Sequence, residues 1–76
     1  MTGDGKSSYQ VTSKDVNTLV FFLSQIKAHY IRCGSYHPRM CQLDRGERTL
    51  TLNEVDQPVV DAVANKTRGN LKIIQM

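Results

Sequence analysis

Val16-Asn17-Thr18-Leu19-Val20-Phe21-Phe22-Leu23-Ser24-Gln25-Ile26-Lys27-Ala28-His29-Tyr30 is the stretch that decides the fold. Val16, Leu19, Val20, Leu23, Ile26 and Tyr30 recur at steps of three and four residues, the spacing that lines one side of an α-helix. Gly34, which tolerates a left-handed backbone, marks where this helix stops. Before it, Thr12 or Ser13 offers an N-cap, and Asp15 stands three residues after Thr12 as in a capping box. Phe21 and Phe22 widen the apolar stripe, and Phe22 lies beside Ile26 on a flank that a single sheet does not obviously cover. A central helix in a small domain can bury such a flank as core. Left exposed, it makes Phe21 and Phe22 the partner-binding residues. The uncharged, β-prone window from Leu19 to Leu23 is an aggregation hazard whenever the helix opens.

Outward from this helix the pattern changes period. Tyr9-Gln10-Val11 alternates as a short strand does, and residues 1–8, rich in Gly, Ser and Lys, read as a flexible arm ahead of one domain over residues 9–76. Gly34-Ser35-Tyr36-His37-Pro38 is a loop bracketed by Gly and Pro. Cys41 and Leu43, then Leu50 and Leu52, alternate with polar residues around Asp44-Arg45-Gly46-Glu47, which predicts a hairpin with those four side chains on one buried face and Gly46 available for positive φ. Asn53 to Asp56 supplies capping residues, Pro58 suits a first helical turn, and Val59, Val60, Ala62 and Val63 give a second helix that fades by Lys66 to Arg68, with Gly69 as its cap. Leu71 and Ile73 alternate with Lys72 and Ile74 in a last strand.

The resulting order is β-α-β-β-α-β, an α+β sandwich of two helices on one face of an antiparallel sheet, ferredoxin-like in outline. If Tyr9 to Val11 is not a strand, the fallback is α-β-β-α-β on a three-stranded antiparallel sheet. Seventy-six residues of ordinary hydrophobicity, 39%, suit one such core and exclude a disordered chain, a collagen-like repeat or a second domain. Stability of roughly 0.05–0.15 kcal/mol per residue leaves little reserve for strained catalytic groups.

Charge and cysteine usage narrow the function classes. The chain carries +3 with a pI near 9.1, a mild bias toward anionic partners. No acidic residue occurs from Val16 to Leu43, whereas Thr49 to Asn65 holds Glu54, Asp56 and Asp61 without a basic neighbour. Such a bipolar surface suits self-association or two partners. Two cysteines make no disulfide framework, and the amino-terminal residues do not form a signal-peptide pattern, which together predict a reducing, cytoplasmic setting. The longest apolar run, Leu19 to Leu23, falls far short of the ~20 residues a membrane helix requires, so no membrane partner is expected. Asn65-Lys66-Thr67 fits the glycosylation pattern, which matters only in a secreted chain.

Three constellations carry candidate chemistry. His29, Cys33, His37 and Cys41 repeat every four residues and offer two imidazoles and two thiols, a set that zinc accepts if the chain folds back beyond Gly34. Lys27, Arg32, Arg39, Arg45 and Arg48, interleaved with Tyr36, would bind nucleic acid by pairing with phosphates and stacking on a base, provided they share one side. Against this, the strands offer only Tyr9 as an aromatic for an exposed sheet and contain no RNP1-like run. Gly5-Lys6-Ser7 lacks the preceding glycine and strand of a phosphate-binding loop. Neither paired carboxylates nor a nucleophile with base and orienter is evident, and the scattered methionines suggest no cofactor, so the expectation is not an enzyme. The leading expectation is therefore a non-catalytic interaction module that binds and regulates or scaffolds another protein. Nucleic-acid binding through residues 27–48 is the alternative, and a zinc-stabilised module is a further one. Unpaired strand edges also make a homodimer an expectation.

Overall fold

A computed structural model describes residues 6–67 and 71–76. Strand β1 spans Lys6–Ser13, helix α1 Val16–Arg32, strand β2 Cys41–Asp44, strand β3 Thr49–Asp56, helix α2 Gln57–Lys66 and strand β4 Leu71–Gln75, with a 3-10 turn, Pro38–Met40, ahead of β2. The strands form one antiparallel sheet in the order β2-β3-β1-β4. Each helix therefore connects two edge-to-centre positions by crossing over one intervening strand, and the expected α+β order is what the chain adopts.

Side-chain alternation assigns the two faces of this sheet. Pairing aligns Cys41, Leu52, Tyr9 and Gln75 in one row and Leu43, Leu50, Val11 and Ile73 in another. Tyr9, Val11, Leu50 and Leu52 are buried there beneath Leu19, Phe22, Ile26 and Tyr30 of α1 and Val60 and Val63 of α2, in one cluster. The rows between them, Gln42-Thr51-Gln10-Ile74 and Asp44-Thr49-Thr12-Lys72, point the other way and form a polar face carrying no aromatic residue.

Local chemistry explains the element ends. Asp15, rather than Thr12 or Ser13, is the N-cap of α1: its carboxylate accepts the Asn17 N–H at 2.9 Å, and the Ser13 hydroxyl accepts the Asp15 N–H at 3.2 Å. At the other end Gly34 adopts φ +75, and the Ser35 N–H returns to the Tyr30 carbonyl at 2.8 Å. In the hairpin the left-handed position falls on Arg48, φ 52, and not on Gly46. The Asp44 carboxylate instead closes this turn by accepting the Glu47 N–H at 3.1 Å.

Three expectations are corrected. Residues 6–8 belong to β1 and not to an arm, because Lys6 pairs with Asp56 and Ser7 with Val55; residues 1–5 lie outside the described residues. Asn53 to Val55 continue β3 rather than capping a helix, while Asp56 is both the last residue of β3 and, as expected, the N-cap from which α2 begins. There the register slips between Ser7 and Tyr9, and Glu54 takes φ 55, the signature of a bulge. The extra residue resets the alternation, so that Val55 enters the core while Glu54 stays exposed. Finally Val20, assigned to the helix stripe, is exposed, and Phe22 takes the central position beneath the helix. The expected Gly69 cap lies outside the described residues.

Candidate functional site

Helix α1 presents two sides. Leu19, Phe22, Ile26 and Tyr30 face the sheet, and the side turned toward α2 carries Phe21, Gln25, Ala28, His29 and Arg32. Ala28 and Ala62 are too small to fill the space between the helices, so a groove remains open to solvent. A cavity of about 290 Å³ lies between the carboxyl-terminal half of α1 and α2 over a floor that includes Val59 and Val63. A second, of about 370 Å³, lies beside Phe21, and the two meet at Lys66. None of the described residues lining either cavity is acidic, whereas Arg32, Lys66 and His29 are basic. The groove thus combines an apolar floor with a cationic rim.

The two phenylalanines named from the sequence part company here. Phe21 is 42% exposed at one end of the groove, while Phe22 is 0% exposed. Phe22 is accordingly core and not a partner contact, because its position on α1 falls between Leu19 and Ile26 over the sheet.

Tyr30 joins α1 to the β3–α2 junction. Its hydroxyl donates to Asp56 Oδ2 at 3.0 Å and accepts the Asp56 N–H at 2.8 Å, tying the last turn of α1 to the start of α2. Burial, the largest influence, holds the Tyr30 hydroxyl above the usual tyrosine range. Asp56 itself makes no side-chain capping bond to α2.

The zinc set does not converge. His29 Nε2 and Cys33 Sγ are 3.7 Å apart on the last turns of α1, but His37 Nδ1 accepts the Arg39 N–H and so caps the 3-10 turn. Cys41 lies in the core-facing row of β2, where burial pushes its thiol up to about 11. Among the described residues no group of three or more His, Cys, Asp or Glu side chains is placed to hold a metal ion.

The basic segment is likewise divided. Arg32 borders the helix groove; Arg39 lines a cavity with Lys6 and His37; Arg48 lines another with Lys14 and Lys72. Arg39 precedes β2, whereas Arg45 and Arg48 follow it in the hairpin turn. Lys27 Nζ sits 5.6 Å from the centre of the Tyr36 ring, so that ring, half-buried, is already covered by a cation. Tyr9, named as a ring for an exposed sheet, faces the core at 5% exposure, and its hydroxyl has no hydrogen-bond partner. Lys27, Arg32, Tyr36, Arg39, Arg45 and Arg48 therefore do not form one phosphate-tracking surface.

No family model, curated protein or solved structure matches this chain. No helix among the described residues is long and apolar enough to cross a membrane.

Sequence reading missed the groove because its lining comes from two helices far apart in the chain. The available signal was weak: small residues at Ala28 and Ala62 and cations at Arg32 and Lys66, with meaning only once the helices are paired.

Proposed function

We propose that this protein is a non-catalytic interaction module that binds an acidic, amphipathic helical segment of another protein, and thereby regulates or scaffolds it. The observation carrying this reading is the helix-lined groove, with an exposed Phe21 at one end and cationic but no acidic residues among its described lining. An apolar floor recognises one face of an entering helix, and Arg32 and Lys66 pair with glutamates on its flanks. Phe21 supplies an aromatic anchor, the residue class that dominates binding energy at such surfaces.

The test uses a synthetic helix of about fifteen residues with leucines at helical spacing and glutamates elsewhere. Titrated into isotope-labelled protein, it is expected to shift the amides of Ala28, Ala62 and Val63, more strongly at low salt. Phe21→Ala and Arg32→Glu are each expected to weaken binding by about tenfold. A peptide with lysine in place of glutamate that bound equally well, or shifts confined to the sheet, would overturn the reading.

A further inference from the structure

We infer that β4 is a dimerisation edge: two copies of this chain pair antiparallel through Leu71–Gln75, related by a two-fold axis at Ile73, to give one continuous eight-stranded sheet. This inference uses none of the groove residues and does not rest on the proposed function.

The inner side of β4 is settled by its hydrogen bonds to β1. The Met76 N–H donates to the Ser8 carbonyl at 2.8 Å, and the Lys72 carbonyl lies 3.5 Å from the Thr12 hydroxyl. With Ile74 opposite Gln10 and Lys72 opposite Thr12, the backbone of the even-numbered residues turns toward β1. The N–H and C=O groups of Leu71, Ile73 and Gln75 therefore point away from the sheet. These outward residues are symmetric about Ile73. Placing a second copy antiparallel sets Ile73 opposite its counterpart and Leu71 opposite Gln75, and every outward donor meets an outward acceptor.

Side chains agree with that register. Lys72 falls opposite Ile74 of the second copy, so the two lysines never face each other, and their stems lie over an exposed aliphatic residue. Half-buried Leu71 and Ile73 gain cover on the helix side, while Ile74 and Met76, 43% and 61% exposed, gain it on the polar side. The other edge is built differently: β2 has only four residues, follows a 3-10 turn and ends in exposed Asp44, all features that discourage pairing. β4 contains no proline and a single charge.

Sedimentation of the whole chain from about 1 µM to 1 mM is expected to show a monomer–dimer equilibrium, with the modest affinity of a small interface. Ile74→Lys sets lysine opposite lysine twice per dimer and is expected to weaken association by about tenfold or more. Ile74→Glu sets opposite charges together and is expected to keep or tighten it. Gln75→Pro removes an outward N–H without touching the bonds to β1 and is expected to weaken pairing.

Amide exchange on the unmodified protein needs no variant. Protection of Leu71, Ile73 and Gln75 is expected to rise with concentration, while Lys72, Ile74 and Met76 stay protected throughout. A monomer at all concentrations overturns the inference, as does a dimer that responds alike to Ile74→Lys and Ile74→Glu or leaves the three odd-numbered amides unprotected.

Discussion

The inner and outer sides of α1 differ by one residue of sequence and by nearly everything else. Phe22 is enclosed by helix and sheet, whereas Phe21 stands at the mouth of the interhelical groove. The cysteines repeat this contrast: Cys33 is exposed at the end of α1, and Cys41 is packed against the core. Equal side chains thus hold the fold together on one side and remain available for contact on the other. Burial, and not residue type, separates the two roles.

The largest expected effect comes from emptying the inner side. Phe22→Ala is expected to remove about 3–5 kcal/mol of stability, a large fraction of what a domain this size possesses. Chemical denaturation should show a lowered midpoint or no folded baseline. A loss below about 1 kcal/mol would mean that the ring is not enclosed, and the contrast with Phe21 would fail.

Alkali probes the same contrast through the thiols. Burial raises Cys41 from an ordinary value near 9 to about 11, so between those values the folded chain holds a proton that the unfolded chain has released. Stability from this group is fully present below pH 9 and is lost as pH rises through about 11. Tyr30, raised by burial in the same sense, adds to the alkaline decline. Thermal melts from pH 8 upward should follow this fall, and Cys41→Ala should flatten part of it. At pH 8 an aromatic disulfide reagent should label exposed Cys33 quickly and Cys41 slowly, since burial both covers the Cys41 thiol and keeps it protonated. Equal labelling rates would place both thiols outside.

A smaller effect is expected where the two sides are tied together. Tyr30→Phe keeps the ring but deletes the hydroxyl that both donates to and accepts from Asp56. The Asp56 N–H then loses its partner, for about 1–3 kcal/mol. Amide exchange at Asp56 should quicken in the variant. An unchanged exchange rate would mean that the bond does not secure the junction of β3 and α2.

How much of this was legible in the chain follows from whether a feature is local. The stripe from Val16 to Tyr30 specifies α1 because helical spacing alone creates it, and the alternation of Leu50 and Leu52 specifies their shared face. Sequence spacing left the assignments of Phe21 and Phe22 open, because helix geometry gives their angular positions but not where the second helix packs. The bulge at Asn53 and Glu54 depends on pairing with Ser7 and Tyr9, more than forty residues earlier, and has no local signature. The four-residue ladder of His and Cys brings His29 to Cys33 where the chain is helical and loses its meaning beyond Gly34, where the chain straightens. The cations from Lys27 to Arg48 cross a helix, a loop and a hairpin, so closeness in sequence did not become closeness in space.

The smallest expected effect is the one that makes the outer side readable. Phe21→Ala removes a ring that keeps 42% of its surface in water after folding, so the associated loss of packing is smaller than at fully enclosed Phe22. Alanine also has the higher intrinsic helix propensity, by about 0.5 kcal/mol, which offsets part of the loss in mid-helix. The sum should lie within about 1 kcal/mol, leaving the unfolding midpoint nearly unchanged. With the fold intact, weaker binding of the acidic helical probe by this variant then reports on the groove itself. A destabilisation approaching that of Phe22→Ala would instead make Phe21 a second core residue, and the division between the two sides of α1 would disappear.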